Sequence, residues 1–262
     1  MNYWAQRNIK AQRNLSKKSV QEIEEQLIKY YLGAQEKIIG QFIETYNKVL
    51  LSVAEGREPT PADLYKLDSY WQGQAQLRDI LKQLGNKEAE LLSAQFIQQY
   101  IDIYNNTAIP GVEAFNTVDI EIARQVVESI WCADGKSWSE RIWDNIAELM
   151  QTLEDELTNC LITGKKTTEL KQILQNRFNV SYHRADMLIR TEIAHITTQA
   201  AQKRYTDYGV EMVEVWADKD ERQCEYCGTL HMKRYPVGGK MPIPAHPNCR
   251  CNLIPVVELK SE

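Results

Sequence analysis

The chain has 262 residues, with 31 Lys and Arg against 36 Asp and Glu, a formal net charge of −5 and 43% hydrophobic residues. That length holds one large domain or two modest ones with a real core, and the acidic balance argues against a general polyanion binder acting through bulk charge. No apolar run reaches the roughly 18 residues of a membrane span and the amino terminus lacks an apolar signal segment, so the expectation is a soluble chain, made in the cytoplasm, with no membrane partner.

The amino terminus is unlike the average. Residues 1–21 carry Arg7, Lys10, Arg13, Lys17 and Lys18 and no acid, together with the aromatic pair Tyr3 and Trp4. Such a stretch reads either as an interaction arm, lying on an acidic protein surface or a nucleic acid backbone, or as a solvated, partly disordered end. The aromatic pair favours docking on a protein. Ser19 and Glu22 have the spacing of a capping box, which places a helix start there. Apolar residues then recur in steps of three and four from Val20 through Ile23, Leu27, Tyr31, Ala34, Ile38, Phe42 and Tyr46 to Val49, which predicts one long helix.

Gly56 and Pro59 break that pattern, and Thr60-Pro61 restarts a helix with a cap and a first-turn proline. Leu64, Leu67, Trp71, Leu77, Ile80 and Leu84 form its stripe, and Gly85 is its expected end. A third helix follows through Leu91, Phe96, Tyr100 and Tyr104, and a shorter one from Val118 to about Trp131. Ser137 and Glu140 repeat the capping-box spacing ahead of a helix that ends at Gly164. A short helix over Thr168–Phe178 and a longer one over Tyr182–Tyr208 come next, closed by Gly209. Val210–Ala217 alternates as a half-exposed strand, and Asn252–Leu259 reads as a second. The predicted fold is mainly α: residues 1–135 a basic arm and a helical bundle or long helical hairpins, residues 136–262 a small α+β module.

Within that module, residues 218–251 concentrate four of the six cysteines as two close pairs, Cys224/Cys227 and Cys249/Cys251, with His246 three residues before Cys249. Two thiolates separated by two residues can share a metal ion, and a second pair closes a tetrahedron, so the spacing reads as a structural zinc knuckle. Four of the five are needed. Cys224, Cys227, His246 and Cys249 fit if His246–Cys249 is a turn, and Cys251 substitutes if that segment is extended. A disulfide staple, buried thiols and a redox dithiol are the competing readings. Arg190, Glu192 and His195 form a polar set that anchors its helix, with Asp218, Asp220 and Arg222 joining it or turning the chain. Glu192-x-x-His195 has the spacing of a di-iron ligand pair, but no second such pair exists in the chain.

The segments GKSWSERIW (135–143), RTEIAHI (190–196), GVE with Trp216 (209–216) and DKDERQCEYCG with HPNCRC resemble the phage Mu F-like head morphogenesis family. Tyr3-Trp4 with Arg7 is similar to the start of the members found in phages of Gram-positive hosts. The resemblance implies a minor head or minor capsid protein of a tailed phage or prophage, located in the virion at the portal vertex or head interior and made in the bacterial host cytoplasm. It implies the portal protein and other head proteins as partners, with packaged phage DNA as a further one, and no small-molecule substrate. Some members add a toxin domain after the shared module; the expectation here is a member without one. The alternative is a metal-dependent nuclease or toxin-like enzyme on nucleic acid, for which His231 and His246 near Asp218 and Asp220 are the candidate groups. Against it, thiolate-rich sites are closed, and no phosphate loop or nucleophile–base arrangement is visible, so no enzymatic activity is expected.

Overall fold

A computed structural model describes residues 3–52, 59–112, 117–217 and 223–256. The elements in chain order are α1 (Tyr3–Ser52), α2 (Pro61–Leu64), α3 (Asp68–Asn106), α4 (Ile120–Glu128), α5 (Trp138–Thr163), α6 (Thr167–Asp207), β1 (Met212–Trp216), α7 (Glu225–Leu230), β2 (Arg234–Pro236) and β3 (Asn252–Val256). The fold is mainly helical with one small sheet, as the sequence predicts. No helix among the described residues is long and apolar enough to cross a membrane.

The helices are longer than the local signals indicate. Ser19 does not cap a helix: α1 is already helical from Tyr3, and Ser19 is a buried interior position. The apolar stripe of α1 is replaced there by Asn8, Gln12 and Ser16, whose side chains find tertiary partners, so hydrophobic periodicity alone misses that part of the helix. Gly85 does not end α3 either. A Cβ at Gly85 would stand 2.8 Å from the Trp143 ring, and one at Gly73 2.5 Å from the Thr45 hydroxyl. These two glycines permit helices to approach closely, which offsets the ~1 kcal/mol each costs in helix propensity. Likewise, α6 runs unbroken through 178–182, with Ser181 turned inward.

Two expected helix ends do hold, because the backbone there requires glycine. Gly164 and Gly209 have φ of 59° and 70°, the left-handed conformation of a helix C-terminus. After α6, the Gly209 N–H bonds to Thr206 C=O at 3.1 Å and the Val210 N–H to Tyr205 C=O at 3.0 Å. This double closure satisfies two of the last carbonyls and turns the chain into β1. The Thr60 cap is also present, as a full box with Asp63, although its helix lasts a single turn before α3 begins. Trp71 is half exposed rather than core, with its indole N–H donated to Tyr65 C=O at 3.0 Å; Tyr70 is the buried residue.

The chain forms two compact units, each assembled from separate segments: Met1–Glu24, Leu91–Trp138 and Met187–Glu262 in the first, Glu25–Glu90 and Ser139–Asp186 in the second. In the first unit, the sheet order is β2-β1-β3, antiparallel throughout. Val213 and Val215 of β1 are fully buried while Met212, Glu214 and Trp216 are half-buried, the alternation expected of a strand with one core face. Ala5, Ile9 and Ile254 pack together with Trp216 against them. The Leu253 carbonyl of edge strand β3 accepts from Gln12 Nε2 and from the Tyr205 hydroxyl, both at 3.1 Å, which blunts that edge. In the second unit, Leu27, Ile38, Leu77, Leu81, Leu153 and Leu174 are fully buried.

Candidate metal centre

Each half of the cysteine cluster is formed by a local device. Cys224 is the N-cap of α7, with extended backbone, and its Sγ accepts the Cys227 N–H at 3.3 Å. One helical turn then puts both sulfurs on the same side. The second half is a reverse turn: the Cys249 N–H bonds to His246 C=O at 3.2 Å, with Pro247 at the second position and Asn248 at the third with φ of 59°. Proline pre-sets the backbone of the second position, and asparagine tolerates the positive φ of the third. The Asn248 N–H is donated to Thr191 Oγ1 at 3.2 Å, so the turn is fastened to α6.

These devices bring all five predicted ligands together as two overlapping triads, Cys224–Cys227–His246 and Cys227–Cys249–Cys251, with Cys227 in both. His246 Nε2 lies 3.3 Å from Cys224 Sγ and 3.2 Å from Cys227 Sγ, and Cys227 Sγ lies 3.9 Å from Cys249 Sγ. A tetrahedral zinc ion with ~2.3 Å bonds to sulfur and ~2.05 Å to nitrogen has edges of about 3.8 Å (S–S) and 3.6 Å (S–N). The observed spacings are close to those edges. His246 Nδ1 is 2.7 Å from Pro247 C=O. That carbonyl holds the proton on Nδ1 and leaves the Nε2 lone pair aimed at the sulfurs, the orientation in which a ligating imidazole is fixed by its outer partner.

Cys227, Cys249 and Cys251 are almost fully buried. Burial pushes the Cys227 thiol up to about 12, whereas a hydrogen bond from Cys251 draws Cys249 down to about 5, and Cys251 is itself raised by that bond. Only part of such a cluster can ionise without a cation, so a metal ion held here would displace thiol protons. All six cysteines are free thiols in this structure. Cys160 lies buried in α5, outside the cluster.

The other predicted sites are placed differently. Arg190 forms an ion pair with Glu24 of α1. Glu192 and His195 are buried beneath Trp131, whose indole N–H is donated to Glu192 Oε2 at 2.9 Å and whose ring stacks on His195 at 4.2 Å, 4° from parallel. Trp131 leaves the chain beyond the end of α4, and sequence periodicity could not show that it covers α6. Burial holds His195 near 4, so it is neutral at physiological pH. Asp218, Asp220 and Arg222 lie outside the described residues. His231 takes up its Nδ1 with the Ala217 N–H, at 3.3 Å, and packs edge-on against Trp216.

The amino-terminal stretch is the first part of α1 rather than an arm beyond it. Ala5, Asn8, Ile9 and Gln12 are buried, while Arg7, Lys10, Arg13, Lys17 and Lys18 are exposed. Helical spacing collects the five cations on one side. Tyr3 is exposed and packs edge-on to Trp4, over which the Arg7 guanidinium lies. Arg13 Nε is donated to Asn252 Oδ1 at 3.3 Å, and Lys18 pairs with Glu22.

The family description Phage Mu protein F like protein matches residues 151–254. No curated protein and no solved structure gives a match. The matched stretch begins inside α5 and ends inside β3, and so contains α6, β1, β2, the start of β3 and the whole cysteine cluster. Over residues 151–254 this chain is similar to the phage Mu protein F-like family.

Proposed function

We propose that the chain is a structural minor head protein of a tailed phage or prophage, bound at the portal vertex or head interior and supporting head assembly and the packaging or delivery of DNA. The observation that carries this reading is the coincidence of the Mu F-like match with a cluster shaped for a closed, thiolate-rich site, which suits folding rather than turnover. The metal is zinc, held by four of Cys224, Cys227, His246, Cys249 and Cys251. The partners are the portal protein and other head proteins, and the exposed cations of α1 are the surface for an acidic one.

The test is to locate the chain in intact particles relative to the portal, for wild type and for a variant with Arg7, Lys10, Lys17 and Lys18 changed to Gln. The expected result is wild type at or near the portal vertex and the variant excluded. If the acidic partner is packaged DNA, the variant instead flattens the salt dependence of DNA binding, by ~0.9 in log–log slope for each phosphate it no longer neutralises. Absence of the wild-type chain from particles, or cleavage of plasmid DNA by the purified protein with Mg²⁺ or Zn²⁺, would overturn the reading.

A further inference from the structure

The second unit has a polar centre to which each of its four long helical segments contributes one residue. Glu88 of α3 is fully buried. The Tyr31 hydroxyl of α1 is donated to Glu88 Oε2 at 3.1 Å and lies 3.4 Å from Ser181 Oγ of α6. Asn145 of α5 donates its Nδ2 to the Tyr31 oxygen at 3.3 Å and to Ser181 C=O at 3.0 Å. Among the described residues no cation joins this set, and Glu88 Oε1 and Asn145 Oδ1 have no hydrogen-bond partner.

We propose that this centre is a proton-linked latch: Glu88 is buried as the neutral acid, and its ionisation loosens the helices that Tyr31, Asn145 and Ser181 tie around it. A carboxylate taken out of water needs a countercharge or several donors, and a carboxylic acid needs far less. Glu88 has one donor among the described residues, Tyr31, with one oxygen unpaired. Burial accordingly raises its carboxyl to about 7, with the Tyr31 bond acting in the opposite direction.

The charged groups nearby do not supply a partner. On α1 the titratable neighbour is Tyr31 itself, which burial beside Glu88 pushes well up; the Tyr182 ring of α6 packs edge-on to it. Asn145 and Ser181 also line a small pocket open to solvent, with Glu148 of α5 and Arg177 and Arg184 of α6 around it. Those charges are already matched, Arg184 with Glu148 and Arg177 with Glu156. The pocket borders the network on its Asn145 and Ser181 side, with Glu88 and Tyr31 behind them.

The sign follows from linkage. The folded carboxyl titrates near 7 and the free one near 4.5, so this contribution is complete below 4.5, is lost progressively up to about 7, and stays constant above. Each pH unit in that window lowers the folding equilibrium by a factor of ~10. The experiment compares wild type with Glu88→Gln, full chain, by melting across the window. The variant keeps a neutral polar group, so it should gain on wild type steadily with pH and stop gaining near 7; a gap that does not change with pH overturns the proposal. If Glu88→Gln does not fold, infrared titration of the wild type decides. A protonated carboxyl band should persist at about pH 6, where exposed carboxyls are ionised, and Tyr31→Phe should move its loss to higher pH. Absence of that band, or no movement with Tyr31→Phe, overturns it.

Discussion

Asn8 tests whether the basic amino terminus is a free arm or part of a packed helix. Its side-chain amide makes two bonds to one distant residue: Nδ2 is donated to Ala108 C=O and Oδ1 accepts the Ala108 N–H, both at 2.8 Å. Asn8 is fully buried. Replacing it by Ala removes both bonds and leaves two backbone groups of Ala108 without a partner. A net bond is worth about 1 kcal/mol, and Ala108 is half-buried so that water can take up part of the loss, so Asn8→Ala should destabilise the first unit by about 2 kcal/mol. For a chain of this size, that lowers the melting midpoint by about 4–8 °C. Asn8→Asp should cost at least as much, because it keeps the acceptor but sets a buried carboxylate oxygen against the Ala108 carbonyl. Urea denaturation with an unchanged slope reads the loss, and faster hydrogen exchange of the Ala108 amide assigns it. If Asn8→Ala stays within about 0.5 kcal/mol of wild type, as a solvent-exposed substitution would, this stretch does not dock as described.

Three other outcomes are expected. Cys227→Ser should lose the metal by elemental analysis and unfold the sheet region, because Cys227 belongs to both triads, while Cys132→Ser and Cys160→Ser should leave metal content unchanged. Gly73→Ala should destabilise by about 1–2 kcal/mol, the overpacking against Thr45 exceeding the gain in helix propensity; adding Thr45→Ala should recover part of that loss in a double-mutant cycle. His195 is held near 4 against an ordinary 6.5, so its contribution is complete above 6.5 and is lost as pH falls towards 4. His195→Phe keeps the stack on Trp131 and should remove about 3 kcal/mol of acid sensitivity; an unchanged acid limb in melting experiments would contradict a buried neutral imidazole.

The gathering of the cysteines with His246 was legible because their spacing is local: Cys224 and Cys227 are joined by one helical turn, and His246 and Cys249 by one Pro-Asn reverse turn. The same holds for the glycine caps at Gly164 and Gly209 and for the alternation of β1, where one or two residues decide the backbone. What fastens these parts was not legible. Thr191 holds the reverse turn and Trp131 covers Glu192 and His195, each from another element and with no spacing signal.

Local signals determined where helices and the first strand form and which thiols gather, since helical periodicity, capping and turn chemistry act over a few residues. Only the tertiary structure decided how far the helices extend and what their buried polar residues do. Ser19 looked like a cap and Gly85 like a stop, yet both sit within continuous helices. Asn8, Gln12, Glu88, Asn145 and Ser181 interrupt apolar stripes, Tyr31 carries a hydroxyl within one, and their partners lie 36 to 241 positions away along the chain. A buried polar group must find a partner or lose its hydration without compensation, and that partner is chosen by packing, which no local pattern records.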